Sequence, residues 1–173
     1  VGMTNFGFNG SPTWKLAYDA GMESLDDADM NLKDIDAIIF STIFLETNGE
    51  KQHHAASLLS SLFKTNIPIV QVTSGCSGGA NALWLSGKYL KDYDNILVIG
   101  AEKLVGNITP MVNDEIMMGG ERIYEQAEGL LFPSLNALLA QKHFLEYGSN
   151  LDDLAQVAFK NHQNASHNPK AAF

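Results

Sequence analysis

Ile69-Val70-Gln71-Val72-Thr73-Ser74-Gly75-Cys76-Ser77-Gly78-Gly79-Ala80-Asn81-Ala82-Leu83 is the stretch on which the reading of this chain turns. Its first residues are mostly β-branched and apolar, and read as a strand that Pro68 starts; its last residues open a helix. Between them a turn made almost wholly of Gly and Ser holds the one cysteine in the sequence. A thiol at a helix N-terminus meets backbone N–H groups that have no intrahelical acceptor, together with the positive end of the helix dipole. Both favour thiolate over thiol and so make a nucleophile. Gly75, Ser77, Gly78 and Gly79 leave room for a substrate to reach the sulfur and let the backbone turn sharply. A lone cysteine often serves as a small core hydrophobe, but that role calls for bulky neighbours, which Cys76 lacks. Cys76 is the candidate catalytic residue.

A second motif overlaps the first. Gly75-Cys76-Ser77-Gly78-Gly79 also satisfies G-x-S-x-G, the strand-to-helix elbow of serine hydrolases, which would make Ser77 the nucleophile. Such an enzyme needs an acid and then a histidine downstream. Asp152 or Asp153 followed by His162 or His167 supplies that order, although all four fall within one predicted helix and its tail, which argues against a triad.

The 173 residues suit one domain, and 45% apolar residues with 9% aromatics suffice for a real core. With 20 acidic against 11 basic residues the formal charge is -9, and no basic cluster occurs, so no nucleic-acid partner is expected. A single cysteine excludes an internal disulfide and suits a reducing compartment. No apolar run approaches the ~18 residues of a membrane span, and no charged-then-apolar leader is visible. The expectation is a cytoplasmic protein without membrane attachment. Val1 in place of Met, and a tail that stops at Phe173 without terminating logic, read as cut ends.

Along the chain, Ser11-Pro12 opens a helix with Leu16, Ala17, Ala20, Met22 and Leu25 on its apolar face. Asp36 to Phe40 is a short apolar strand. A looser stretch from Glu46 to Glu50 leads to a helix carrying Ala55, Leu58, Leu59, Leu62 and Phe63. The helix after Cys76 is expected to pack through Ala80, Leu83, Trp84, Gly87 and Leu90, and Asn95 to Ala101 is another buried strand. Strands alternating with helices imply a parallel sheet covered on both faces, with the active site at the carboxyl ends of its strands, where Cys76 sits. From Glu102 the alternation stops. Val105 to Gly129 is rich in Met, Gly, Asn and Glu, and two helices follow, Phe132 to Tyr147 and Leu151 to Asn164, the second capped by Asn150 with Asp153 three residues on. His53 and His54 diverge by about 100° on a helix, and His143, His162 and His167 lack zinc-like spacing, so no metal site is expected.

Three segments resemble the N-terminal part of a thiolase, of the archaeal acetoacetyl-CoA thiolase and sterol-carrier-protein-2-type group. Val1-Gly2-Met3-Thr4-Asn5-Phe6-Gly7 is similar to the family's opening strand and turn, and Ser74-Gly75-Cys76-Ser77-Gly78-Gly79 to its nucleophile motif. Lys160-Asn161-His162-Gln163-Asn164 with Asn168-Pro169-Lys170-Ala171-Ala172-Phe173 is similar to a distinctive later stretch. Val98-Ile99-Gly100-Ala101-Glu102-Lys103 and Leu131-Phe132-Pro133 add weaker agreement.

The resemblance implies the N-terminal half of the thiolase fold: a mixed, mostly parallel sheet between helix layers, of which the first four strands are expected, plus part of an inserted loop domain. The corresponding boundaries are a nucleophile-bearing core over residues 1–102 and a partial loop domain over 103–173, with the C-terminal half absent. The implied reaction makes or cleaves acetoacetyl-CoA by Claisen chemistry through an acyl-Cys76 intermediate, the backbone N–H of Cys76 donating to one oxyanion hole. Acyl-CoA and CoA are the implied substrates, and no cofactor is needed beyond these thioesters. Members also use a catalytic His, a second Cys and an Asn from the second half of the chain; no position here matches them, so the 173-residue chain alone is expected not to turn over. Family members pair through the strand before the nucleophile, which implies a homodimer or tetramer, with accessory protein subunits as a further expectation. The alternatives are a ketoacyl-synthase-like condensing enzyme, the serine hydrolase using Ser77, and a non-catalytic thiolase-like subunit that binds acyl-CoA or a partner protein.

Overall fold

Ala37–Ser41 forms strand β1, and all five residues are buried, Ile38, Ile39 and Phe40 completely. Burial of each such side chain contributes about 1.5–3 kcal/mol, so these three together contribute about 5–9 kcal/mol. The computed structural model describes residues 1–104 and 106–172. Val105, which opens the Met- and Gly-rich segment, and Phe173, the last residue of the tail, lie outside the described residues. The chain divides into two units, Val1–Thr4 with Phe8–Asn107, and Asn5–Gly7 with the residues from Ile108 on.

In the first unit β1 is the centre of a three-stranded parallel sheet in the order β2-β1-β3, where β2 is Ile69–Val72 and β3 is Ile96–Gly100. The register sets Ile38 between Ile69 and Leu97, and Phe40 between Gln71 and Ile99. Because side chains alternate along a strand, one face carries Ile38, Phe40, Leu97 and Ile99. These pack with Ala17 and Leu25 of helix α1 (Thr13–Asp27) and with Leu59 and Phe63 of helix α2 (Ala55–Phe63). Helix α3 (Gly78–Tyr89) packs on β1 and β3 through the other face, where Ile39 and Ser41 point. The expected α/β architecture, a parallel sheet between helix layers, is therefore present.

Helix α1 buries part of the face its sequence suggests, Ala17 and Leu25 but not Met22, and α3 buries a different one, for the same reason. The buried residues of α1 are Thr13, Ala17, Gly21 and Leu25, a strict four-residue stripe, while Met22 is 39% exposed. A Cβ on Gly21 would stand 3.0 Å from both Ile99 Cδ1 and Phe63 Cζ, so the helix approaches the sheet at the one residue with no side chain. On α3 the buried residues are Gly78 and Ala82, and Leu83 and Trp84 are each 65% exposed. Small residues four apart set the close approach, and the larger apolar residues turn outward.

The opening residues also differ from expectation. Val1–Phe6 joins no strand, and Gly2 lies against α1 so closely that a Cβ there would stand 2.0 Å from the Ala20 carbonyl oxygen. Three strands, rather than four, are present among the described residues.

The second unit is helical. Helix α4 (Thr109–Met117) carries Pro110 in its first turn and packs on α5 (Phe132–Tyr147), which starts at Phe132-Pro133 and ends at Gly148 in the left-handed region, φ 70°. Helix α6 (Leu151–Ala165) begins with the capping box read from the sequence: Asn150 Oδ1 accepts from Asp152 N at 2.7 Å and Asp153 Oδ2 from Asn150 N at 2.8 Å. Among the described residues no helix is long and apolar enough to cross a membrane.

The seat of α1 is open to direct measurement. Gly21→Leu forces a side chain into the contact with Ile99 and Phe63 and is expected to lower stability by about 1–3 kcal/mol, read as a drop in the urea midpoint at unchanged slope.

Candidate active site

Strand β2 ends at Val72, and one turn of 3-10 helix, Gly75–Ser77, precedes the first residue of α3. Cys76 is thus in the middle of a tight turn that leads into the helix, at the carboxyl end of the parallel sheet, and its side chain is exposed. The turn depends on Gly75, whose φ of 52° lies in the left-handed region that other residues reach only with strain. Its hydrogen bonds begin only at Ser77, whose N–H donates to the Ser74 carbonyl at 3.1 Å, so the N–H of Cys76 precedes the ladder. Behind the turn, a Cβ on Gly78 would stand 2.4 Å from Ser41 Oγ, so the start of α3 lies close against the end of β1.

Ser77 is committed elsewhere. Its hydroxyl donates to the Ser74 carbonyl at 2.7 Å and so closes the same turn. The acids and histidines that a hydrolase would need do not assemble: Asp153 accepts from the N-cap of α6, and His162 stands about 15 Å further along that helix from Asp152. His167 lies beyond the helix end.

Glu102, two residues beyond the end of β3, holds the carboxyl edge of the sheet together. Its Oε2 accepts from Ile43 N at 2.8 Å, its Oε1 from Phe44 N at 3.1 Å and Thr42 Oγ1 at 3.3 Å, and Lys103 donates a backbone bond as well. Desolvation raises the Glu102 carboxyl above the ordinary glutamate range, against the opposing pull of these donors. In the sequence Glu102 shows only as an isolated acid at the exit of an apolar strand, within the weakly similar segment of residues 98–103.

A second polar cluster anchors the loop read as a loose stretch. Glu50 Oε1 accepts from Thr13 N at 2.8 Å and so caps α1, and Asn48 Nδ2 donates to Thr13 Oγ1 at 3.4 Å and to the Lys103 carbonyl at 3.3 Å. Lys103 Nζ in turn donates to the Ser11 carbonyl at 2.8 Å. His53 Nδ1 lies 3.1 Å from Glu46 Oε1 and His143 Nδ1 2.6 Å from Ser149 Oγ. Among the described residues no three His, Cys, Asp or Glu side chains are grouped as metal ligands.

In the second unit a cavity of about 280 Å³ is lined by Asp114, Met117, Gln126, Gly129, Leu130 and Leu131. Glu115, on the same helix as Asp114, is 6% exposed and its Oε2 has no hydrogen-bond partner. Burial raises its carboxyl above the usual value.

The model of the thiolase N-terminal domain matches residues 1–173, the whole chain. The chain belongs to the thiolase family. Among its relatives, the acetyl-CoA acetyltransferase of Methanothermobacter thermautotrophicus is 28% identical over 180 residues, covering 100% of this thiolase chain and 45% of its own length. The acetyl-CoA acetyltransferase of Methanocaldococcus jannaschii is 28% identical over 175 residues, covering 99% and 44%. Sterol carrier protein 2 of Bos taurus is 26% identical over 185 residues, covering 100% and 33%. This thiolase-family chain therefore spans less than half the length of the curated relatives it matches. A 3-oxoacyl-[acyl-carrier-protein] synthase III structure from Aquifex aeolicus superposes with a TM-score of 0.49 at 27% identity, over 56% of this chain and 31% of that one.

Two expectations follow from this geometry. Gly75→Ala places a Cβ in open space but in a left-handed backbone, so it is expected to cost about 1–2 kcal/mol and to change the rate at which iodoacetamide alkylates Cys76; an unaltered rate and midpoint would show that the turn does not need glycine. For Glu115 the sign is fixed by its raised pKa: the folded state holds the proton more tightly than the unfolded chain, so stability falls as pH rises from the ordinary carboxylate value through the folded one. Glu115→Gln is expected to raise the urea midpoint at about pH 7, with the gain shrinking on acidification to about pH 5.

Proposed function

We propose that the chain supplies the nucleophile of a thiolase reaction in which Cys76 accepts an acyl group from acyl-CoA. The observation that carries this reading is an exposed cysteine on a turn led by left-handed Gly75, at the carboxyl end of a parallel sheet, in a chain that matches the thiolase N-terminal domain throughout. The Cys76 sulfur adds to the thioester carbonyl and gives up its proton. The carbon–sulfur bond to CoA breaks, the proton given up by Cys76 is balanced by the one taken up on the departing CoA sulfur, and acyl-Cys76 remains. The negative oxygen formed on addition is suited to a backbone donor, and the Cys76 N–H, ahead of the turn's hydrogen bonds, is the candidate.

In the second half-reaction the carbanion of another CoA ester attacks acyl-Cys76 to give acetoacetyl-CoA, or CoA attacks it in the degradative direction. The two archaeal relatives' name, acetyl-CoA acetyltransferase, supports the acetyl group as the one transferred. This half-reaction needs a base for the α-proton, and each missing acid or base group typically removes ~10²–10⁴-fold in rate. In the family those groups come from the second half of the polypeptide, so the 173 residues alone are read as capable of acylation but not of turnover.

Incubation with acetyl-CoA followed by intact mass measurement tests the first step. Slow addition of one acetyl group is expected for the parent and for Ser77→Ala, and none for Cys76→Ala. Acetylation that survives Cys76→Ala, or labelling of Ser77 by a fluorophosphonate faster than alkylation of Cys76, would overturn the reading. Cleavage of acetoacetyl-CoA at an enzymatic rate by this chain alone would place a base among His143, His162 and His167 and refute the division of labour.

A further inference from the structure

Cys76 and Glu102 both follow the carboxyl ends of strands, but on opposite sides of β1, because the strand order is β2-β1-β3. What joins them is the end of β1 itself. Ser41, the last residue of β1, is 6% exposed, and its carbonyl accepts from Ala101 N at 3.1 Å. On one side its Oγ sits where a Cβ on Gly78 would have to go, so the start of α3, and with it the Cys76 turn, rests on Ser41. On the other side the next three residues, Thr42, Ile43 and Phe44, are all held by the Glu102 carboxylate, one through its hydroxyl and two through backbone N–H groups.

We propose that Glu102 is a positioning residue of the Cys76 site: by clamping Thr42–Phe44 it fixes the end of β1, on which Gly78 seats the nucleophile turn. This rests on the reading of Cys76 as the acyl-accepting nucleophile, but the coupling itself is a property of the folded chain and is measurable without substrate. Both oxygens of Glu102 must accept, since Ile43 N is bound by one and Phe44 N by the other. An amide in place of the carboxylate would turn an N–H₂ toward a backbone N–H, so glutamine is not a neutral replacement here. Aspartate keeps two acceptor oxygens on a shorter stem. A space-filling role for Glu102 predicts the opposite order, with glutamine tolerated and aspartate not.

The experiment compares Glu102→Gln, Glu102→Ala and Glu102→Asp with the parent chain, using two readouts: amide hydrogen exchange, and the second-order rate of Cys76 alkylation by iodoacetamide. Expected for the glutamine and alanine variants is exchange faster by about tenfold or more at Ile43 and Phe44 and also within residues 75–79, with an alkylation rate changed about threefold or more. The aspartate variant is expected to fall between these and the parent. Glu115→Gln, a buried acid of the second unit, serves as a control for general loosening and should leave both Cys76 readouts unchanged.

Freed Ile43 and Phe44 amides with parental exchange and alkylation around Cys76 would overturn the proposal. So would a glutamine variant indistinguishable from the parent. Should the alanine variant not fold, the glutamine and aspartate pair still decides the order. Failure of acetyl transfer to Cys76 in the parent would count against the thiolase reading alone and would leave this coupling standing.

Discussion

Everything in the first unit depends on the complete burial of β1. Ala37–Ser41 has no exposed residue, and both other strands bond to it rather than to each other. Its odd and even side chains face two helix layers, so Ile38 and Phe40 join the core beneath α1 and α2 while Ile39 and Ser41 meet the layer containing α3. The polar carboxyl end of the same strand then serves chemistry. The Ser41 hydroxyl lies close against Gly78 at the start of α3, and the three residues after Ser41 are gathered by one carboxylate.

Chemistry and packing therefore meet in a few small residues. Gly75 supplies a backbone conformation, Gly78 supplies proximity to the sheet, and Ser77 closes the turn with its own hydroxyl. A bulkier sequence would move the turn away from the strand ends. In this geometry Ser77 serves as a turn-closing group, and Asp152, Asp153 and His162 are strung along α6 rather than gathered at one point.

Legibility in the sequence follows the range of the interaction. The cap of α6 was readable because Asn150 and Asp153 act within four residues, and β1 was readable because full burial leaves a run without charge. The seat of α1 at Gly21 and the face of α3 were not. Amphipathic reasoning assigns large apolar residues inward, whereas Gly21, Gly78 and Ala82 win these contacts by being small, and Leu83 and Trp84 face outward. Glu102 was missed for a related reason: its partners Thr42–Phe44 are about sixty residues away, and no local pattern announces a bond of that reach. Cys76, by contrast, was legible from composition alone, because a turn built of Gly and Ser announces itself whatever lies around it.

The strand order has a kinetic side. Since β2 and β3 share no edge, neither has a template until β1 is in place, and β1 precedes both in the chain. Pairing β1 with β3 closes a loop roughly twice as long as pairing it with β2, an added entropic cost of about 0.6 kcal/mol on top of two already distant closures. Parallel pairings of this kind are slow to nucleate. The nucleophile turn follows β2 directly, so it can take shape with the nearer pairing, whereas the carboxylate that holds the end of β1 arrives only with the farther one.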